Sequence, residues 1–329
     1  MKVLITGGAG FLGQRLAREL LSRDVLHLSE ATSSRVSELV LLDVVAATGP
    51  HDDRVRIAIG DIADRSVLEK FIDTDTVAIF HLAAVVSGQA EADFDLGMRI
   101  NLDASRLLLE VCRRLGHSPR VVFTSSVAVY GGSLTDIVLD DTALNPQSSY
   151  GAEKAVAEFL LNDYSRRGFI DGRVLRLPTI SVRPGKPNAA ASSFASGIIR
   201  EPLTGHRSVC PVSGDTKLWL LSPRKAAECL VAGCEIDGAA FGNRRTVNLP
   251  GISVTVSEMI KTLRDVAGDA IANRVEWKLD ERIEKIVGSW PAMWDTTRAI
   301  ELGLTADASF EHILRNFIDD ELGGDSPHD

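Results

Sequence analysis

Residues 2–21 read KVLITGGAGFLGQRLARELL and decide the fold of the N-terminal half. The first five form an apolar run that ends at glycines, and from Phe11 onward apolar residues recur at helical spacing with charges between them. The stretch therefore predicts a strand, a tight turn and a helix. Gly7, Gly10 and Gly13 occupy the turn, where glycine permits a sharp bend and close approach of the backbone to a pyrophosphate, and where free helix N–H groups face the anion. We interpret the stretch as a nucleotide-binding turn.

Short β-branched runs recur along the first half of the chain. They lie at 40–45 (VLLDVV), 55–59, 77–82 (VAIFHL) and 121–124 (VVFT), separated mostly by helix-like segments. Parallel neighbours need crossover connections, so this alternation predicts an α/β fold with helices on both faces of a doubly wound parallel sheet of the Rossmann type.

The composition changes after the run RVLRLPTI at 173–180. The segment SVRPGKPNAAASSFASG that follows is rich in Pro, Gly, Ser and Asn, and helical patterns return at 222–233, 255–267 and 310–322. We therefore expect a smaller, discontinuous substrate domain. The predicted division is 1–180 plus about 218–250 for the nucleotide-binding domain, 181–217 plus 251–322 for the substrate domain, and 323–329 for a disordered tail.

Charge and composition exclude several classes of partner. The 329 residues carry 36 basic and 45 acidic groups, so no basic field is available for nucleic acid. The glycine turn replaces the apolar core of a signal peptide, and no apolar run approaches the roughly 20 residues of a membrane span. We expect a soluble cytoplasmic protein with no membrane partner. The four cysteines show no CxxC spacing and the seven histidines no HExxH, so buried free thiols and no metal site are expected.

Asp43 ends the second run, thirty residues after Gly13. A carboxylate there could accept hydrogen bonds from ribose hydroxyls, although the usual spacing is about 20. We attribute the excess to the polar insert at 27–38, and a solvated carboxylate is the alternative. No arginine follows Asp43 directly, which favours NAD over NADP. Further candidates at successive strand ends, each more often structural when taken alone, are Asp61, Ile62, Leu82, Ala83 and Ala84.

Tyr150 and Lys154 lie one helical turn apart in SSYGAEKAVAEFLL, so their side chains share a face. Tyrosine has an unperturbed pKa near 10, and a neighbouring ammonium would stabilise the phenolate and lower that value. Ser126, after the fifth strand, could hold the reacting oxygen against Tyr150. The order of glycine turn, serine and Tyr-x-x-x-Lys predicts an oxidoreductase site.

Together GGAGFLG, Asp43, SSVAVYGG and YGAEK resemble the extended short-chain dehydrogenase/reductase superfamily, also called NAD-dependent epimerase/dehydratases. The resemblance implies that Tyr150 accepts the proton, Lys154 modifies its pKa and binds the ribose, and Ser126 polarises the hydroxyl. Ser125 is less favoured as the catalytic serine. Ser126 stands four residues before Tyr130, and this is where members of the superfamily carry their catalytic Ser or Thr.

The resemblance also implies the rest of the cofactor site. It places Asn101 near the nicotinamide ribose, with an exposed or capping amide as the alternative, and it implies a homodimer formed through helices at 99–114 and 151–166. The residues predicted to bind NAD are Gly7, Gly10, Phe11, Leu12, Gly13, Asp43, Asp61, Ile62, Leu82, Ala83, Ala84, Asn101, Ser125, Tyr150, Lys154 and Thr179.

The segments at 81–97, 165–202 and 220–224 resemble the branch of this superfamily that oxidises the C2 hydroxyl of four-carbon sugar acids. A sugar-acid substrate needs a cation for its carboxylate. Arg183 is the first candidate, with Arg224 and Lys186 as second choices, and Ser126, Tyr150, Ser192 and Ser193 as hydroxyl-binding candidates. The alternative is that Arg183 pairs with a carboxylate at the domain junction.

Three other functions are weighed against this dehydrogenase. Epimerases of the superfamily hold the substrate pyrophosphate with an arginine, and the nearest matching position here is Lys217. The lysine weakens the hypothesis that this protein is a nucleotide-sugar epimerase with retained NAD. Val127 and Ala128 stand where dehydratases carry an acidic pair. A catalytically idle NAD-binding regulator is disfavoured because Ser126, Tyr150 and Lys154 are all present.

Overall fold

The computed structural model describes residues 1–23, 25–28, 33–135, 137–186, 190–288 and 290–323, so the predicted tail lies outside the described residues except for Gly323. The strands are β1 (Lys2–Thr6), β2 (Leu26–His27), β3 (Ser33–Ser34), β4 (Glu38–Asp43), β5 (Val55–Ile59), β6 (Thr76–His81), β7 (Arg120–Ser126), β8 (Asp171–Leu177), β9 (Thr179–Ile180), β10 (Ser208–Cys210), β11 (Lys217–Leu221), β12 (Thr246–Asn248), β13 (Ile252–Thr255) and β14 (Val275–Trp277).

The helices follow the apolar periodicity of the sequence. They are α1 (Phe11–Ser22), α2 (Arg65–Phe71), α3 (Ser87–Ala92), α4 (Phe94–Gly97), α5 (Ala104–Leu115), α6 (Ser149–Arg166), α7 (Ser193–Leu203), α8 (Pro223–Glu235), α9 (Val256–Ala267), α10 (Asp269–Ala272), α11 (Glu281–Gly288), α12 (Thr297–Glu301) and α13 (Phe310–Glu321). A π-helical turn, Met98–Asp103, joins α4 to α5. The sequence predicted an ordinary helix there.

The predicted doubly wound sheet is confirmed. Seven strands, all parallel, lie in the order β12-β8-β7-β6-β1-β4-β5. The chain runs outward from β1 to β5 and then returns to the other side of β1 as β6. The order therefore reverses between β1 and β6, and such a switch point opens a crevice at the carboxyl ends of the strands.

Both faces of the sheet are covered. Residues of α1 and α8 pack on one face, around Leu16, Phe80 and Leu230, and residues of α2, α5 and α6 pack on the other, around Leu68 and Leu108. Strands buried on both sides read as continuous apolar runs, which explains KVLIT and ELVLLD.

A further hydrophobic cluster gathers the later segments. Its residues come from 182–220, 254–287 and 310–318, and it includes Ile198, Leu220 and Phe317. Ala299 and Leu304 instead pack with the cluster of α1 and α8. The predicted domain boundaries remain a prediction.

Three features bear on the sequence expectations. The polar insert before β4 contains the short antiparallel pair β2 and β3, and 29–32 within it lie outside the described residues. All four cysteines are buried. None of the helices in the described ranges has the length and apolarity to cross a bilayer.

The packing of α1 against the glycine turn predicts the effect of Gly13→Ala. An added Cβ would overlap the backbone oxygen of Gly7, which cannot swing away as a flexible side chain could. We expect the free energy of unfolding to fall by about 1–3 kcal/mol, the usual range for overpacking, measured by urea denaturation. Gly288→Ala is the control, because a Cβ there meets no atom within 4 Å. Equal stability of the two variants would contradict the tight packing at Gly13.

Candidate active site

A cleft of about 730 Å³ opens at the crevice, and its walls come from the ends of β1, β4, β5, β6, β7 and β8. The cleft brings together nearly all of the residues predicted for cofactor and substrate, although they span more than half the chain. The predicted residues that line it are Gly7, Gly10, Phe11, Leu12, Gly13, Asp43, Asp61, Ile62, Leu82, Ala83, Ala84, Ser125, Ser126, Tyr150, Lys154, Thr179, Arg183 and Ser192.

The glycine turn forms a cradle that side chains would fill. Gly7 has a φ of +73°, and a Cβ there would lie 2.8 Å from the backbone nitrogen of Ala83. Gly10 is the N-cap of α1 and supplies no side-chain hydrogen bond to the first N–H groups of this helix. Backbone N–H groups and the helix dipole at such a terminus favour an anion. The turn thus fits the pyrophosphate of a dinucleotide.

Asp43 is the last residue of β4 and contacts the turn directly. Its Oδ2 accepts a hydrogen bond from the Ala9 N–H at 3.0 Å, and its Oδ1 accepts one from the Val44 N–H at 2.7 Å. A carboxylate has further lone pairs for ribose hydroxyls. The exposed Val44 and Val45 follow it and bring no positive charge to this end of the cleft.

Asp61 pairs with a residue that the sequence reasoning missed. Arg99 Nη1 lies 2.6 Å from Asp61 Oδ2, and both side chains line the cleft. Burial opposes ionisation of Asp61, but the hydrogen bonds from Arg99 and Ala63 and the charge of Arg99 outweigh it and lower the pKa of this carboxyl. Nothing in the spacing of 61 and 99 indicates this pair.

The proposed reacting groups meet where β7 ends against α6. Lys154 Nζ donates to the backbone oxygen of Thr124 at 2.9 Å and lies 5.7 Å from the centre of the Tyr150 ring. The Ser126 hydroxyl accepts a hydrogen bond from the Ala128 N–H at 3.1 Å and so begins a short 3₁₀ turn. Ser125 instead donates to the buried Glu158, which agrees with Ser126 as the serine that faces the reaction.

The pKa of Tyr150 differs from the sequence-based expectation. Burial raises it to about 12, the Ser126 hydroxyl lowers it, and the charge of Glu153 raises it further. Burial also lowers the pKa of Lys154 to about 8, against the charges of Glu153 and Glu158, which raise it. Desolvation is thus the largest influence on the pKa of both side chains, and the Lys154 ammonium donates its hydrogen bond to the Thr124 carbonyl.

Arg183 reaches the same cleft from the loop after β9. Its Nη2 is buried without a hydrogen-bond partner, and no carboxylate of the described residues lies within ion-pair distance of it. Burial and the nearby charge of Arg200 lower its pKa. The alternative of a structural ion pair is therefore absent among those residues. A bound anion would supply the missing partner.

Ser192 precedes α7, and its hydroxyl does not cap that helix. The other substrate candidates lie elsewhere: Ser193 does not line the cleft, Arg224 pairs with Asp320 through both carboxylate oxygens, and Lys186 lines a separate cavity with Arg200. Lys217 begins β11 outside the cleft lining.

Asn101 is buried, with 1% of its surface exposed, and does not line the cleft. Its Nδ2 donates to Val85 O at 3.1 Å and to Glu153 Oε2 at 2.6 Å, and its Oδ1 accepts from the Val85 N–H at 2.8 Å. The amide is thus neither exposed nor capping. Glu153 was missed, since a glutamate inside a helix is usually exposed.

Known proteins match the chain over almost its entire length. D-erythronate dehydrogenase of Cupriavidus necator is 66% identical, with 97% of this chain and 98% of that protein covered. D-erythronate dehydrogenase of Haemophilus influenzae is 46% identical, with 98% and 100% covered. A solved structure described as a nucleoside-diphosphate-sugar epimerase from Agrobacterium tumefaciens superposes with a TM-score of 0.93 at 43% identity, covering 99% of this chain and 95% of that one.

The family predicted from the motifs is confirmed by these matches. Residues 3–222, from the first strand to the residue before α8, match the family described as NAD dependent epimerase/dehydratase. Because this match covers most of the chain and the relatives align nearly end to end, the protein belongs to the NAD dependent epimerase/dehydratase family.

Proposed function

We propose that the protein oxidises the C2 hydroxyl of D-erythronate to 2-dehydro-D-erythronate with NAD⁺. The observation that carries this proposal is the 66% identity, over 97% of the chain, to the Cupriavidus necator D-erythronate dehydrogenase. The arrangement of Ser126, Tyr150 and Lys154 in a single cleft supports it, because oxidation of a hydroxyl needs a base beside the hydride acceptor.

The cofactor site is proposed from the same cleft. The glycine turn would hold the pyrophosphate, Asp43 the adenosine ribose, and Lys154 the nicotinamide ribose. When bound, NAD⁺ supplies the acceptor for the hydride. Asn101 supports the wall at Val85 rather than touching the ligand, given its enclosed amide.

The roles of the reacting residues follow from their contacts. Ser126 would donate to the substrate oxygen and Tyr150 would take the hydroxyl proton. Arg183 would bind the substrate carboxylate, whose negative charge would compensate the buried guanidinium. Ser192 would bind a distal hydroxyl of the substrate. A planar guanidinium bound to the carboxylate would fix the orientation of the acid and therefore the position of C2 beside the reacting residues.

We also propose a cytoplasmic homodimer that uses α5 and α6. On α6, Val156 is 44% exposed and Phe159 is 65% exposed, and contact with a second copy would remove this apolar surface from water. Analytical ultracentrifugation would measure the oligomeric state.

The function is tested by assaying a panel of sugar acids and nucleotide sugars with NAD⁺. We expect NADH absorbance to grow with D-erythronate and not with nucleotide sugars. The Agrobacterium relative gives the second candidate, an epimerase that retains its cofactor. Turnover of a nucleotide sugar without net NADH, and no activity on D-erythronate, would replace the proposal by that one.

Asp43→Ala tests the cofactor assignment. Loss of hydrogen bonds to a charged group should weaken NAD⁺ binding by about 1.5–3 kcal/mol and ease the rejection of NADP⁺, as measured by calorimetry. Asp43→Asn is the matched variant, since its amide oxygen can still accept from Ala9 and preserve the turn. An unchanged preference for NAD⁺ over NADP⁺ in both variants would contradict the assignment.

Tyr150→Phe tests the base. General-base catalysis usually contributes about 10²–10⁴-fold, so kcat should fall by at least a hundredfold. Lys154→Met should weaken NAD⁺ binding and move the ionisation seen in kcat/KM to higher pH, because the phenolate loses its nearest cation. Tyr164→Phe, a tyrosine bonded to Glu110 away from the cleft, is the control. Activity of Tyr150→Phe above about a hundredth of wild type argues against this role.

Arg183→Lys tests the carboxylate site. Lysine keeps the charge but loses the planar fork, so KM for the acid should rise about tenfold or more while NAD⁺ affinity stays the same. Arg224→Lys is the control, because Arg224 is engaged by Asp320 outside the cleft. Equal KM values in wild type and Arg183→Lys would move the carboxylate site elsewhere.

A further inference from the structure

Glu153 is a buried carboxylate beside the reacting pair, with no assigned role. It lies on α6 between Tyr150 and Lys154, and 2% of its surface is exposed. Its Oε2 accepts a hydrogen bond from Asn101 Nδ2 at 2.6 Å, and its Oε1 has no hydrogen-bond partner. A buried carboxylate oxygen without a partner is costly, so its presence calls for a physical reason.

The surroundings of Glu153 contrast with those of Glu158 one turn later. Glu158 is equally buried, but Arg176 Nη2 lies 2.7 Å from it and Ser125 also donates to it. No Lys, Arg or His of the described residues forms an ion pair with Glu153. The negative charge of Glu153 therefore has no cation at ion-pair distance among those residues.

The neighbouring chain is shaped around this carboxylate. A Cβ on Gly97, at the end of α4, would overlap Glu153 Oε1 in its present position, so the glycine leaves the space that this carboxylate occupies. Asn101 links Glu153 to Val85, whose N–H and C=O both bond to the same amide. Val85 lines the cleft and Glu153 does not, so Glu153 is connected to the cleft wall through Asn101.

We infer that Glu153 is a positioning residue for the reacting pair: its unpaired charge acts on Lys154 and Tyr150, and its hydrogen bond aligns the Asn101 amide that holds the cleft wall at Val85. The inference rests on the proposed function where it is tested by the pH profile of kcat/KM. The second measurement, NAD⁺ affinity across pH, requires no turnover.

The titratable groups around Lys154 come from three directions. On α6, Glu153 and Glu158 both favour the ammonium, and the charge of Glu158 is offset by Arg176 of β8. From β6, His81 faces the same site, and burial followed by the charge of Lys154 lowers its pKa to about 3, so it is neutral at working pH. Glu153 is then the carboxylate whose charge acts on Lys154 without a local counterion.

Glu153→Gln is the test, because it removes the charge and keeps the shape. The negative charge raises the pKa of both Lys154 and Tyr150, so its removal lowers both. Both limbs of the pH profile of kcat/KM for D-erythronate oxidation should move to lower pH by about 1–3 units, the range for a close charge. NAD⁺ affinity, followed by tryptophan fluorescence across pH, should show the same displacement without turnover.

Companion variants separate charge from packing. Glu153→Asp restores the charge and should return both limbs toward their wild-type positions. Glu153→Met removes the charge with an apolar chain that needs no hydrogen bond, and it serves if Glu153→Gln does not fold. Asp163→Asn is the control on the same helix, where an exposed carboxylate is screened by solvent.

Limbs that stay at the wild-type pH in Glu153→Gln or Glu153→Met, with only a lower kcat, would overturn the inference and leave Glu153 a packing residue. Absence of D-erythronate oxidation in the wild type would overturn the proposed function alone, since the pH dependence of NAD⁺ binding still tests Glu153.

Discussion

The close contact between the glycine turn and the end of β6 is the constraint on which the cleft depends. A side chain at Gly7 would collide with the backbone of Ala83, so the two strand ends come together only without one. Backbone bonds complete the contact, as Leu82 N–H donates to Thr6 O at 3.1 Å and Ala83 N–H to Thr6 Oγ1 at 3.3 Å. Because the strand order reverses at this point, the same contact places the cofactor cradle beside the crevice.

A chain of buried hydrogen bonds joins this contact to the catalytic helix. Thr6 Oγ1 lies 2.7 Å from His81 Nδ1, His81 Nε2 lies 2.9 Å from Ser105 Oγ, and Ser105 donates to Asn101 O at 2.7 Å. Asn101 then donates to Glu153. Since the lowered pKa keeps His81 neutral, one ring nitrogen donates and the other accepts, and each link has a donor and an acceptor. The cradle and the reacting pair are thus held by one polar network.

Three charged groups at or beside the cleft are buried without a full set of partners. Lys154 is buried on a single backbone acceptor, Glu153 has an oxygen without a partner, and Arg183 has a buried nitrogen without one. A chain selected for stability alone would pair or remove such groups, and departures from local rules of this kind are expected at functional sites. Buried atoms without a partner also occur away from the cleft, among them Arg173 Nε and Glu201 Oε2, so it is the position of these three groups that links them to the proposed chemistry.

The sequence alone determined the local chemistry: the glycine turn, the parallel strands, and the placing of Tyr150 and Lys154 on one helix face. Each depends on short-range periodicity or on the conformational freedom of glycine, which a linear pattern records. The tertiary structure decided which groups are desolvated and which are paired. It placed Arg99 on Asp61, enclosed Asn101, left Glu153 and Arg183 without full partners, and moved the pKa of Tyr150 upward. Burial and pairing arise between segments distant in the chain, so no spacing in the sequence encodes them.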